Sequence, residues 1–147
     1  MAQGSFQAQV AASVAKSKRL MKAVRDEAAQ RVIEVMQTPV AAGGNMPVDT
    51  GFLRSSLMAT VGAVNFGLRD RPSADAKYAY DAGAVSLVLL GAKLEDAVTA
   101  IYTANYARYQ EYGTSHMQGR RFVALAAQQW PRIVSEVATE AQARAGG

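Results

Sequence analysis

The sequence contains no cysteine and a single histidine, His116. Without cysteine the chain can form neither a disulfide nor a thiolate zinc site, and it has no thiol nucleophile. His116 stands in a glycine-bounded connection, residues 113–119, and there is no second histidine to share a metal ion with it. The aspartates and glutamates show no ligand spacing, so we expect no metal and no other cofactor.

The sequence also lacks a long hydrophobic run and a phosphate-binding glycine motif. Its longest apolar stretch, residues 82–92, contains Ser86 and falls far short of the ~20 residues that cross a bilayer. The basic cluster near the N-terminus follows a mildly apolar stretch instead of preceding it, which argues against a signal peptide. Gly43 and Gly44 are not followed by the residues of a phosphate loop. We expect no membrane association.

Length and composition favour one domain over residues 1–147. Half of the residues are hydrophobic and 19% are charged, with a formal net charge of +4. This composition is ordinary for a folded protein, and a chain of this length can bury a single core.

One pattern dominates the first quarter of the chain. Apolar residues recur there at three-, four- and seven-residue spacing, the period of an amphipathic helix. They are Phe6, Val10, Val14, Met21, Val24, Ala28, Val32 and Val35. The pattern predicts a helix over about residues 5–36, extending roughly 45–50 Å at 1.5 Å per residue. Because such a helix is longer than the core of a small domain, part of its apolar stripe is expected to pack against another subunit or element.

The remaining core, about residues 47–141, is predicted to begin with short elements. After a loop, Asp49 or Thr50 can cap a short helix over residues 51–56. Strands are predicted over residues 57–64, 85–90 and 97–103, the last two as an antiparallel hairpin. Residues 65–81 form an extended loop that is too long for an ordinary turn.

The chain is predicted to end in two helices. Asn105 caps a short helix that ends near Gly113, where glycine suits a left-handed backbone. The last helix begins near Phe122 and is kinked by Pro131, which has no N–H to donate. The predicted fold class is α+β, a small antiparallel β-sheet packed against a long N-terminal helix and a kinked C-terminal helix.

Two short blocks carry most of the information about function. The first is PVDTGFLRSSL, residues 47–57, and the second is YARYQEYGT, residues 106–114, followed by RRF at 120–122. In a structural interpretation, the first block enters a helix and its Arg54 pairs with Glu111 of the second. The residues assigned to this structural motif are Asp49, Thr50, Gly51, Leu53, Arg54, Tyr106, Glu111, Tyr112, Gly113, Arg121 and Phe122.

A catalytic interpretation of the first block stays open as a remote alternative. DTG is the signature of aspartic proteases, and a retroviral-type enzyme would use Asp49 as one carboxylate of a pair shared by two subunits. The surroundings argue against this, because Asp49 follows a Gly- and Pro-rich loop instead of a strand. Arg54, about one helical turn further on, also favours the charged carboxylate.

A nucleic-acid-binding module is the other alternative. It would use the basic side chains of the first helix against phosphates and the tyrosines as a stacking platform. A solvated helix face and a core edge or subunit contact explain the same residues. They are Lys16, Lys18, Arg19, Lys22, Arg25 and Arg31, with Tyr102, Tyr106, Tyr109 and Tyr112.

The order and spacing of the blocks resemble those of the small neck or tail-completion proteins of long-tailed bacteriophages, prophages and phage-derived gene transfer particles. The resemblance covers about residues 47–135. It follows DTGxLRxS, a strand region, YAxYxEYGT, and an Arg-Phe pair at the head of a closing helix. The family's closing motif usually has proline before the phenylalanine, whereas this chain has Arg120-Arg121-Phe122. The loop over residues 65–81 is also longer than the family needs.

The resemblance implies a virion structural protein that forms a ring at the head–tail junction or the tail top, as a tail-completion, tail-terminator or neck protein. It favours a hexamer, with a tail tube protein and head-side connector proteins as partners, assembled in the bacterial cytoplasm. DNA would pass through the channel without sequence-specific binding, and no enzymatic activity is expected. The candidate interface residues lie in the first helix and the long loop: Val10, Val14, Met21, Val24, Phe66, Arg69, Arg71, Tyr78 and Tyr80.

Overall fold

The computed structural model describes residues 5–64, 66–70 and 77–146. In these residues helices alternate with short strands. The elements, in chain order, are α1 (Phe6–Gln37), a 3₁₀ turn (Val40–Ala42), α2 (Phe52–Ser55), β1 (Leu57–Val61), α3 (Ala82–Gly91), β2 (Val98–Tyr102), α4 (Ala107–Tyr112), β3 (Gly113–Thr114), β4 (Met117–Gln118), α5 (Phe122–Ala127) and α6 (Trp130–Gly146).

The long first helix is confirmed, with α1 spanning Phe6–Gln37. Ser5 caps it, because its hydroxyl oxygen accepts a hydrogen bond from the Ala8 N–H at 3.1 Å. Only the second half of the helix joins the core, where Ala28 and Ile33 are buried. Every residue from 5 to 19 is exposed, so the first half projects from the rest of the chain.

Helix α6 lies beside the second half of α1 and runs in the opposite direction. Going along α1 toward its C-terminus, Glu27 first pairs with Arg144, near the end of α6, at 3.2 Å. Further along, Ala28 of α1 is buried in a cluster with residues of α6, and Glu140 lies 2.6 Å from Arg31. The described residues before position 20 are all exposed, so α1 continues for about 14 residues, roughly 21 Å, beyond this contact.

The main sheet has two antiparallel strands, β1 and β2, paired from Leu57↔Tyr102 to Val61↔Val98. The predicted strand over 57–64 is therefore confirmed but shorter. The predicted hairpin is wrong, because the strand near 97–103 pairs with β1 and residues 85–90 belong to helix α3. A two-residue ribbon, β3 with β4, adds a second small sheet.

Helix α3 forms where a strand was expected because its apolar run fits either period. Asp81 begins it, since its carboxylate accepts from the Gly83 N–H at 3.0 Å. Val85, Leu89 and Ala92 then recur at helical spacing, and all three are buried. One side of the helix therefore packs on the core, against β1 and α1.

The predicted kink of the closing helix is observed as a break in the turn that precedes Pro131. The helix is broken into α5 and α6 around Gln128 and Gln129, before the proline. Pro131 is the second residue of α6, in the first turn, where its missing N–H has no helical partner to lose. The Ile133 N–H donates to the Gln129 carbonyl at 2.9 Å, and this bond begins the backbone hydrogen bonds of α6.

The α+β fold class is confirmed, and besides the cluster between α1 and α6 the core has two larger clusters. One lies among α1, β1, α3 and α5 and includes Met36, Leu57 and Leu89. The other lies under α2 and α4 and includes Phe52 and Phe122. No helix among the described residues combines the length and hydrophobicity required to cross a membrane.

Candidate functional site

The first block, residues 47–57, enters α2 through a tight turn. The hydroxyl oxygen of Thr50 accepts from the Phe52 N–H at 3.3 Å, so Thr50 provides the predicted side-chain bond. Gly51 occupies the cap position itself, with φ +87°. Leu53 is buried as expected, and Asp49 is exposed at the end of a segment that contains a 3₁₀ turn and no strand. This is not the strand-fed, dry loop of an aspartic protease.

The predicted pair between Arg54 and Glu111 is wrong. The Nε of Arg54 donates to the Gln37 carbonyl at 2.8 Å, and the Gln37 amide donates back to the Arg54 carbonyl at 2.8 Å. The last turn of α1 needs donors for its carbonyls, and Arg54 supplies one. The arginine guanidinium also lies 5.3 Å from the ring centre of Tyr80. Gln37, which the sequence analysis missed, therefore joins α1 to the first block.

Glu111 instead caps helix α5 from another part of the chain. Its two carboxylate oxygens accept from the N–H groups of Val123 and Ala124, each at 2.9 Å. Its side chain is buried, with 7% of the residue exposed. The residue at the cap position of α5, Arg121, gives no side-chain bond. Glu111 thus satisfies donors that the helix start leaves orphaned.

Arg121 explains the missing proline of the closing motif. Its backbone is left-handed, with φ +53°, which a proline ring cannot adopt. Its N–H also donates to the Glu111 carbonyl at 3.1 Å, a bond that proline would lose. The next residue, Phe122, is buried as predicted.

The second block ends in a close contact between two glycines. Helix α4 ends at Tyr112, and Gly113 follows with φ +86°. A Cβ on Gly113 would lie 2.6 Å from the Gly119 nitrogen, so neither position has room for a side chain. Asn105 is not the cap of α4, because Tyr106 holds that position. Tyr112 is 76% exposed and so is not part of the core.

One described end of the long loop, residues 66–70, is fixed to the end of β2. The Arg69 N–H donates to the Thr103 carbonyl at 2.7 Å, and its Nε donates to the Thr103 hydroxyl at 3.1 Å. The Arg69 guanidinium lies 5.4 Å from the ring centre of Phe52. Phe66 is half-buried, and Arg71 lies outside the described residues.

The other described end, residues 77–80, is fixed to the first block. The Tyr78 N–H donates to the Thr50 carbonyl at 2.9 Å, and its ring meets Phe52 edge-on at 5.3 Å. A Cβ on Gly51 would lie 2.3 Å from the Tyr78 carbonyl oxygen, so only glycine permits this approach. Tyr80 is half-buried under Arg54, and burial raises the pKa of its hydroxyl. Phe52 therefore contacts both ends of the loop.

The two blocks also meet around one cleft. Residues 47–53 line one side, and Tyr106, Gln110 and Arg120 line the other. Of the motif residues, the cleft therefore brings together Asp49, Thr50, Gly51, Leu53 and Tyr106. Among the described residues, no three His, Cys, Asp or Glu side chains come close enough to hold a metal ion.

Three of the basic residues of α1 make contacts within the chain. Lys22 Nζ donates to the Leu89 carbonyl at 3.1 Å, and Arg25 Nη1 donates to the Lys93 carbonyl at 2.9 Å. Lys22 thus places a cation at the negative C-terminal end of α3, and Arg25 holds the loop that follows it. Both cations also pair with the buried Asp26, at 2.5 and 2.9 Å. Arg31 donates to Glu140, which holds the pKa of that exposed carboxyl below its usual range. The other basic side chains, Lys16, Lys18 and Arg19, lie on the projecting or adjoining part of α1.

Among the described residues, α1 and α3 each carry an exposed apolar surface. The first, the α1 stripe, consists of Phe6, Val10, Val14 and Met21, with Phe6 79% exposed. The second, the α3 face, carries Leu87 and Leu90, which are 72% and 69% exposed. Val24, predicted with the stripe, is partly buried against α6 instead. No sequence signal marks the α3 face, because an almost wholly apolar run predicts a strand as readily as a helix.

Comparisons with protein-family models, with characterised proteins and with solved structures find no match for this chain.

Proposed function

We propose that this chain is a virion structural protein that forms a ring at the head–tail junction or the top of a phage tail. The observation that carries the proposal is the pair of exposed apolar surfaces, the α1 stripe and the α3 face. Exposed apolar surface of this kind marks protein–protein contact sites. The resemblance of residues 47–135 to neck and tail-completion proteins supplies the kind of assembly.

In this proposal the two motif blocks hold other segments of the subunit in place. They fix both described ends of the long loop to one buried ring, Phe52. They also fix the start of α5 through Glu111. A loop held in this way presents a defined surface to a neighbouring subunit or a tail protein. In this proposal the motif residues maintain the fold of the subunit, and other residues make the contacts between subunits.

The partners follow from the resemblance and are part of the proposal. The ring would hold six copies, with a tail tube protein on one side and head-side connector proteins on the other. DNA would pass through its channel without sequence-specific contacts, and assembly would take place in the bacterial cytoplasm.

Native mass spectrometry and negative-stain microscopy of the purified full chain test the proposal. We expect a closed oligomer for the chain alone or together with its tail tube and connector partners. A chain that stays monomeric with and without those partners would refute the ring.

The exposed basic side chains at the start of α1 favour nucleic-acid binding as a second candidate. Lys16, Lys18 and Arg19 lie there without any acidic residue between positions 5 and 20. Binding through them would weaken with salt, and Lys16→Gln would reduce the salt slope by about one unit. Affinity for DNA that does not depend on salt or on Lys16 would exclude this candidate.

A further inference from the structure

The α1 stripe lies on a projecting arm that carries charge of one sign. The arm, residues 5–20, includes three basic residues and no acidic one. Phe6, Val10 and Val14 occupy one side of it, at four-residue spacing, and all are exposed. About 21 Å of helix thus offers an apolar stripe flanked by cations.

The α3 face is apolar and lies in a segment of opposite charge. Leu87 and Leu90 project from it, and small residues, Gly83, Ala84 and Gly91, are exposed beside them. Small side chains let a second helix approach closely. Residues 81–96 contain three acidic residues and one basic residue, a net charge of −2, against +3 for the arm.

These two surfaces lie on different sides of the molecule. Leu90 borders a groove with Ala23 and Asp26 of α1. At 3.6 residues per turn, Ala23 and Asp26 are roughly 100° to 180° around the helix from Phe6, Val10 and Val14. One copy therefore cannot cover its own α3 face with its own stripe. A contact between the two surfaces joins different faces of two copies, which is the head-to-tail relation that builds rings.

We propose that the arm of one copy packs its α1 stripe against the α3 face of the next copy. The occupant of the α3 face is thus a second copy of this chain. Val10 and Val14 would pack beside Leu87 and Leu90, and the cations of the arm would lie near the acidic residues that flank α3. This inference rests on the proposed ring and names the surfaces that build it.

Because the chain has no cysteine, single introduced cysteines report the contact directly. One preparation carries Val10→Cys and a second carries Leu87→Cys, both at exposed positions. They are mixed and oxidised, then separated on a non-reducing gel. A disulfide forms only where the two Cα atoms come within about 7 Å. We expect the mixed dimer to dominate, and the chain with both cysteines to give a ladder of oligomers.

A matched control uses Ala12→Cys, which is exposed on the opposite side of the arm. Mixed with Leu87→Cys, it should give no more crosslinked dimer than random collision does. A second readout is Leu87→Glu in the cysteine-free chain, which should reduce the oligomer to monomer in native mass spectrometry.

Each other outcome overturns the inference. Crosslinking of Val10→Cys with itself would show that two arms pair with each other. Crosslinking of either cysteine only to a tail protein would assign the surface to that partner. An intact oligomer without the mixed dimer would remove this contact and leave the ring standing. A wild-type chain that stays monomeric with its partners would remove both.

Discussion

Replacement of Glu111 by glutamine tests whether the second block works as a remote helix cap. The substitution keeps the shape of the side chain but leaves one oxygen to accept where two now bind Val123 and Ala124. The new amide group would face an N–H group that it cannot satisfy. Because the site is 7% exposed, water does not readily replace the lost bond.

The expected cost follows from two terms. A buried N–H left without a partner costs about 1–3 kcal/mol. Loss of a negative charge at a helix start costs about 0.3–1 kcal/mol. Glu111→Gln should therefore destabilise the fold by about 2–3 kcal/mol, a large part of the about 5–15 kcal/mol of a typical domain.

Urea unfolding measures this change, with the single tryptophan, Trp130, as the fluorescent reporter beside α5. The midpoint should fall by about 1 M for a slope of about 2 kcal/mol per M. The matched control is Glu136→Gln, which removes an exposed carboxylate paired with Arg132. That change should cost less than about 1 kcal/mol.

A double-mutant cycle with Arg54→Met decides between the observed cap and the pair expected from the sequence. Arg54 bonds Gln37 and Glu111 bonds α5, so the two changes should add within about 0.5 kcal/mol. A coupling above about 1 kcal/mol would indicate a direct ion pair. A Glu111→Gln protein as stable as the Glu136→Gln control would refute the capping role.

Three further predictions concern the fold around the site. Gly51→Ala should lower the free energy of unfolding in urea more than Gly43→Ala does. Both glycines have positive φ, but only a Cβ at position 51 would meet backbone, at the Tyr78 carbonyl. Equal losses would contradict the close approach. Burial raises the pKa of Tyr102 above its ordinary 10.0, so stability should fall as pH rises above 10.0, where the unfolded chain loses the proton first. Tyr102→Phe should flatten that decline in unfolding midpoint, and an unchanged slope would count against it. Lys22→Met should lower the free energy of unfolding by about 1 kcal/mol and speed hydrogen exchange at the end of α3. The control, Lys18→Met, should change neither quantity.

The long first helix was predictable because thirty residues of periodic sequence leave little ambiguity. Its bounds differ from the prediction by one residue at each end. The run over residues 82–91 had no such pattern, since it contains a single polar side chain, Ser86. Its conformation depends on Asp81 at one end and on Lys22 and Arg25 at the other. The second of these contacts joins residues far apart in the chain, so local sequence could not reveal it.

The site was predictable as a set of residues but not as a set of contacts. Gly51, Leu53, Gly113 and Phe122 have the structural roles expected of them. Opposite charge alone predicts a pair between Arg54 and Glu111. Each instead bonds to backbone groups, the carbonyl of Gln37 and the N–H groups of α5. Backbone groups at helix ends are invisible in a search for opposite charges.

The contacts of Lys22 and Arg25 with the end of α3 and the loop that follows it have a consequence for the size of an assembly. In head-to-tail packing, the rotation from one copy to the next depends on the angle between the two contact surfaces of a single copy. In the proposed ring, one surface is part of α1, and the other is part of α3, which α1 contacts through Lys22 directly and through Arg25 at the following loop. The number of copies needed to close the proposed ring would then be set inside each subunit. Substitutions at this joint would change how many subunits a closed assembly contains while leaving both contact surfaces intact.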